Sequence, residues 1–204
     1  MVVESTKIAA PVERPMTPAA RRRGSFFMDI NKISTGDNPP SEVNVIIEIP
    51  QEGAPIKYEF DPTSGRLFVD RFLHTAMAYP ANYGFIPHTL CRDGDPCDVL
   101  VVSQVSIVLL AVVRCRPIGG LAMEDDDQRI IAVPADRLNP YYVNVRTVAD
   151  LPAILHEQIS RFFNHYKDLE EGSQMKVSRR MELDETFEYI RDAIGRAARK
   201  SANG

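Results

Sequence analysis

The apolar residues of this chain change their period once, and that change restricts the folds open to it. In "VNVIIEI" (43–49) they alternate, with Val43, Val45, Ile47 and Ile49 on one face and Asn44, Ile46 and Glu48 on the other. "IKYEF" (56–60) reads as a second strand with Lys57 and Glu59 on a common face, "DPTSG" (61–65) as a turn, and "RLFVDRF" (66–72) as a third strand. "YPANYGFIPHTL" (79–90) mixes aromatic and breaker residues and reads as irregular with short strand pieces. Residues 99–102, 107–115 and 129–133 are further strand candidates. After Asp150 the period becomes helical: Leu151, Ile154, Leu155, Ile159, Phe162, Phe163 and Tyr166 recur on one face, with Asp150 as a cap and Pro152 in the first turn. A second helix is expected over 184–199, turning Phe187, Ile190, Ile194 and Ala197 inward. Strands first and helices last imply an α+β domain on an antiparallel β core.

With 204 residues, 44% of them hydrophobic, the chain is large enough for one globular domain and a tail. A net charge of −4 argues against a bulk electrostatic grip on nucleic acid, so an anionic ligand needs a local cluster of Lys and Arg. Cys91, Cys97 and Cys115 are odd in number and form no CxxC, which fits a reducing, cytoplasmic setting. A zinc site from His88, Cys91 and Cys97 matches no standard spacing. No apolar run approaches the roughly 20 residues of a membrane span. Residues 1–29 lack apolar periodicity and contain the arginine cluster of "RRRGSFF"; they read as an N-terminal extension, or as the result of a misassigned start with Met28 as the true one. "MDINKIST" stands where a twin-arginine signal needs an apolar stretch, while a transit peptide would share the Arg-rich, acid-poor composition. Residues 30–204 form the expected domain.

"CRDGDPCDVL" (91–100) sets Asp93, Asp95 and Asp98 close together, with Gly94 and Pro96 between them. Gly94 and Pro96 sharpen and stiffen the loop, and "VLVV" anchors its base, so the carboxylates cannot simply splay apart. Such carboxylates call for protons or a multivalent cation. A calcium EF-hand loop fails, because Gly94 and Pro96 fall at its second and fourth positions and Gln104 at its twelfth. All-oxygen sites suit Mg²⁺ or Mn²⁺. A second acidic run, "MEDDDQR" (123–129), also lies between two expected strands, and two such loops at one end of a barrel could assemble a multi-metal site. Lys57, Arg71, Tyr166 and Lys167 are the parts of a phosphate clamp.

These segments together resemble the soluble inorganic pyrophosphatases of the bacterial, magnesium-dependent type. "VIIEIP", "PIKYEFD", "LFVDRF", "YPANYGFIPHTL", "DGDPCDVLVV", "RCRPIG" and "FFNHYKDLEEG" carry the resemblance, in order, from about Ile30 to Glu171. It implies a five-stranded OB-like antiparallel β-barrel with flanking C-terminal helices. It also implies hydrolysis of pyrophosphate to two phosphates with several Mg²⁺ ions and a metal-bridged hydroxide as nucleophile. By the same resemblance Asp95 is the general base, and Asp93, Asp98, Asp125, Asp127 and Glu48 are metal ligands, with Asp98 bridging two ions. Lys57, Arg71, Tyr83, Arg129, Tyr166 and Lys167 are implied to bind phosphate, with Glu59 orienting the network. Bacterial members are usually hexamers, built as two trimers, with the helix that carries His165 at a subunit interface.

The chain departs from the family pattern in places. The 123–129 loop is about three residues shorter, which makes Asp126 a competitor of Asp127. Arg129 stands where a Lys is usual, Arg161 where an interface histidine is usual, and "GSQMK" (172–176) replaces "GKWVK", putting Ser173 in place of a Lys. A weakened relative that binds metal and pyrophosphate with little turnover is therefore the alternative. An OB-type oligonucleotide binder is opposed by the acidic loops.

Overall fold

The structure is a computed structural model and describes residues 29–124, 127–172 and 175–202. The expected extension, apart from Asp29, lies outside the described residues, as do Asp125, Asp126 and Ser173. The described residues form eight strands: β1 (Val43–Ile49), β2 (Ile56–Asp61), β3 (Arg66–Phe72), β4 (Asn82–Ile86), β5 (Cys97–Val101), β6 (Val112–Met123), β7 (Arg129–Pro134) and β8 (Val177–Met181). Two helices follow the barrel strands, α1 (Ala153–His165) and α2 (Leu183–Ala202).

Strands β1, β4, β5, β7 and β6 pair in that order, and β6 returns to β1, closing a five-stranded barrel. The barrel is mixed, not wholly antiparallel as expected: β5 and β7 run parallel, because the chain leaves β5, crosses to β6 and comes back along β7. Two layers bury β1: closure turns Val43, Val45 and Ile47 into the barrel interior, and Ile46 on the opposite face packs with Phe60 of β2 and with Phe85. At Gly84 the backbone of β4 meets β1 so closely that a Cβ would lie 1.9 Å from the Ile46 carbonyl oxygen. Hairpin β2–β3 stands outside the barrel as a separate two-stranded ribbon.

Three segments differ from the expectation. Residues 107–111 are apolar but not a strand: Leu110 has φ +63°, and Val108 and Leu109 are exposed. A continuous apolar run is an ambiguous signal, and here the backbone turns out of the sheet. β6 runs on through "RPIGGLAM" (116–123), whose Pro and Gly suggest a break. A bulge between Pro117 and Gly119 lets this one strand bend and pair with β1, β7 and β8. β8, "VSRRM", is mostly exposed and lacks an alternating apolar pattern.

Helix α1 starts at Ala153 with Pro152 as its cap residue. Asp150 instead serves the preceding 3-10 turn, accepting from the Thr147 backbone N–H at 2.8 Å and the Thr147 hydroxyl at 3.1 Å. α1 lays Ile159, Phe162 and Phe163 onto one side of the barrel, where Phe162 packs against Tyr79 with ring centres 4.5 Å apart. Burying each such side chain stabilises the fold by about 1.5–3 kcal/mol. α2 adds Ile190 and Ala193 to the apolar cluster that all five barrel strands share, which also holds Cys91, Cys97 and Cys115. On the outer face of the barrel a cavity is bordered by β2, β3, the loop after β4 and the residues that follow α1.

Candidate active site

The cavity on the outer face of the barrel has a volume of about 380 Å³. It is lined by Glu48, Lys57, Glu59, Arg71 and Tyr83, by Asp93, Asp95, Asp98, Asp127 and Arg129, and by Tyr166 and Lys167. Every described residue expected at the site therefore borders a single space. Asp125 lies outside the described residues.

Two bulges aim the side chains from β1 and from the ribbon. In β1 the register shifts between Ile47 and Ile49, so Glu48 opposes no residue of β4. Its Oε1 accepts from the Phe60 backbone N–H of β2 at 2.7 Å. Burial pushes its pKa up to about 8, against the pull of that N–H bond, with Asp98 adding to the rise. In the ribbon Lys57 pairs with Arg71 and Tyr58 with Val69, which leaves Asp70 as the extra residue. A bulge brings consecutive side chains toward one side of a ribbon. Asp70 Oδ2 accordingly lies 2.9 Å from Lys57 Nζ and 3.0 Å from Arg71 Nε. Burial works to raise the Asp70 pKa, but Lys57 and Arg71 outweigh it and hold the carboxyl below its ordinary value.

Arg71 continues the chain of charge through Nη1 to Glu170 Oε2 at 3.2 Å. Glu170 Oε1 is buried with no hydrogen-bond partner among the described residues. Asp70 and Glu170 are site residues that the sequence reading missed. The signal for Asp70 was available, an Asp next to Arg71 in a strand facing Lys57; for Glu170 there was no local signal. Glu59 is largely exposed, with Oε2 3.9 Å from Lys57 Nζ.

The acidic loop is a tight turn. Gly94 has φ +102°, where a side chain would be strained, and the Asp95 backbone N–H donates to Asp93 Oδ1 at 3.0 Å. Burial raises the Asp95 pKa, and Asp93 raises it further. Burial likewise raises that of Asp98, in opposition to Arg129 and to the hydroxyl of Tyr83, which donates to it.

Arg129 is only 4% exposed and sits among these acids. Nη1 lies 3.1 Å from Asp98 Oδ2 and contacts Asp127 Oδ1, while Nη2 donates to Asp127 Oδ2 at 2.6 Å. Burial opposes its charge, yet the surrounding groups hold it firmly protonated. Its Nε is buried with no hydrogen-bond partner among the described residues. Tyr166 stacks on Phe162 at 4.9 Å, and burial raises its pKa to about 12. Lys167 lies over the Tyr166 ring at 5.5 Å, and burial with Arg71 nearby lowers its pKa.

Among the described residues no three Asp, Glu, His or Cys side chains are drawn into a ready ligand cluster. The donor set still fits a hard divalent cation by its chemistry: all oxygen, anionic, on facing walls of one cavity, and with carboxyl pKa values that call for positive charge.

The family model for inorganic pyrophosphatase matches residues 45–198. An inorganic pyrophosphatase of Caulobacter vibrioides is 59% identical over 172 residues, covering 83% of this chain and 97% of that protein. One of Rhodospirillum rubrum is 51% identical, covering 84% and 97%. The crystal structure of an inorganic phosphatase from Anaplasma phagocytophilum superposes with a TM-score of 0.78 at 46% identity, covering 81% of this chain and 99% of that one. No helix among the described residues is long and apolar enough to cross a membrane. A closed barrel with clustered acids and clustered cations around one cavity on its outer face, and a match running through both, place this chain in the inorganic pyrophosphatase family.

Proposed function

We propose that this chain hydrolyses inorganic pyrophosphate to two phosphates in the cavity between its barrel and the β2–β3 ribbon, with Asp95 as the general base. The observation that carries the reading is the meeting of two charge systems in one cavity: the loop acids on one wall and Lys57, Arg71 and Lys167 on another. Pyrophosphate has no organic part to grip, so recognition must come from cations and hydrogen bonds to its oxygens. Lys57 and Arg71 reach it from the ribbon, held in place by Asp70. Lys167 and the Tyr166 hydroxyl reach it from the end of α1.

Divalent ions, Mg²⁺ or Mn²⁺, would be held by Asp93, Asp98, Asp127, Asp125 and Glu48, and would supply a lowered water pKa and neutralisation of phosphate charge. Asp95 accepts the proton of the attacking water as its oxygen bonds to phosphorus. Its raised pKa makes it a better base than an exposed carboxylate. The bridging P–O bond then breaks, and the charge that collects on the departing phosphate falls on Lys57, Arg71 and Lys167. Arg129 keeps Asp98 and Asp127 in fixed positions beside that path. The three free thiols support a cytoplasmic setting. Exposed Phe68, Val69 and Phe72 on the ribbon support burial against further copies, and a hexamer is the assembly we infer.

Phosphate release from pyrophosphate, measured with Mg²⁺, with a chelator, and for Asp95→Asn, tests the reading. Metal-dependent release that falls by about 10²–10⁴ in the variant is expected. Tight binding of pyrophosphate with no release would instead identify the non-hydrolysing relative.

A further inference from the structure

Two cysteines bracket the acidic loop. Cys91 Sγ and Cys97 Sγ lie 3.2 Å apart, and the residues between them include Asp93 and Asp95. The backbone brings the sulfurs together. The Cys91 N–H donates to the Asp95 carbonyl at 2.7 Å, and the Gly94 N–H to the Cys91 carbonyl at 3.3 Å. The Cys97 N–H donates to Thr89 Oγ1 at 2.9 Å, which in turn donates to the Ile86 carbonyl.

α2 holds the same loop from outside. Its Tyr189 hydroxyl donates to Cys91 Sγ at 2.9 Å. The Leu90 N–H donates to the Ala193 carbonyl at 3.0 Å, and Arg196 Nε donates to the Leu90 carbonyl at 2.7 Å. Cys91 thus has a thiol and a phenol beside its sulfur, a polar setting for a residue that could be any small apolar side chain if packing were its only task. Cys91 is 5% exposed and Cys97 fully buried, so Cys91 is the one of the pair that a small oxidant meets first.

We propose that Cys91 and Cys97 are a modification site: a dithiol that hydrogen peroxide closes to a disulfide, locking the loop that carries Asp93 and Asp95 and slowing hydrolysis. The slowing rests on the function proposed above; the closure does not. The Cys91 thiol sulfur attacks one peroxide oxygen, the O–O bond breaks, and the departing hydroxide takes the thiol proton and leaves as water. Cys97 Sγ then attacks the sulfenic sulfur of Cys91. The S–S bond forms, the S–O bond breaks, and the second hydroxide leaves as water with the Cys97 proton. Two thiols are oxidised and two peroxide oxygens reduced. Closure draws Cys91 toward the first residue of β5, next to Asp98, and so shifts Asp93 and Asp95 against Asp98.

The experiment treats the full chain with peroxide, blocks remaining thiols with iodoacetamide after unfolding, and maps the peptides by mass. In parallel it measures phosphate release before and after dithiothreitol. Expected are a Cys91–Cys97 linked peptide, Cys115 recovered as a blocked thiol, and turnover lowered about tenfold and restored by reduction, since displacements near 1 Å at a site can cost up to about a hundredfold. Cys97→Ala should keep the reduced rate and form no link. Recovery of Cys91 and Cys97 as separately blocked thiols would overturn the proposal, as would a linked chain with unchanged turnover. A reduced chain that releases no phosphate would refute the functional reading and leave the mapped link standing.

Discussion

Arg129 Nη1 lies 3.1 Å from Asp98 Oδ2, and the two residues are direct neighbours in the parallel register of β5 and β7. The one parallel pairing of the barrel thus brings the second loop's cation onto the first loop's acid. A guanidinium this buried is strongly held, and its removal strands two carboxylates. Arg129→Met should lower unfolding stability in chelator by about 2 kcal/mol, less than a fully buried pair because Asp98 and Asp127 keep some solvent contact. Urea denaturation checks it. Added Mg²⁺ should recover more stability in the variant than in the parent, since the same acids then take the metal as their counter-charge.

Asp70 binds no substrate by itself, yet it holds both Lys57 and Arg71. Asp70→Asn should raise KM for pyrophosphate about tenfold and change kcat by less than about threefold, the signature of lost ground-state positioning. Steady-state kinetics separate the two. Stability should move by less than about 1 kcal/mol, because the pair is partly solvated.

Glu48 has a folded-state pKa of about 8, above its ordinary 4.5. The folded chain therefore holds a proton that the unfolded chain releases between those values. Stability conferred by the neutral carboxyl is whole below pH 4.5 and is lost as pH rises toward 8, with a slope of up to about 1.4 kcal/mol per pH unit. Asp95 and Asp98, also raised, act in the same direction. Unfolding free energies of the chelated protein from pH 5 to 8 should fall, and Glu48→Gln should flatten that fall. An unchanged slope in the variant would show that Glu48 is ionised in the folded chain.

Gly84 is required by contact rather than by its backbone angles, since a Cβ there would lie 1.9 Å from the Ile46 carbonyl oxygen. Gly84→Ala must push β1 and β4 apart and should destabilise the chain by about 2–3 kcal/mol or prevent folding. Thermal denaturation, or the yield of soluble protein, reads the effect.

The pattern of residues alone determined the strands β1, β2, β3 and β7, both helices and the acids of the first loop, because each is a local signal: an alternation, a helical repeat, or charges packed between breakers. It also brought out Lys57 and Arg71 as candidates. Tertiary structure decided what local patterns do not encode. Whether the outward face of β1 is wet depends on Phe60 of the ribbon packing over it, and whether "RPIGGLAM" breaks or bends depends on the β1, β7 and β8 neighbours that hold it. Asp70 became a clamp only through a bulge in β3, and Glu170 joined Arg71 from the turns that follow α1, about a hundred residues along the chain. Such pairings form only when segments far apart in the chain pack together, to which no short window of sequence has access.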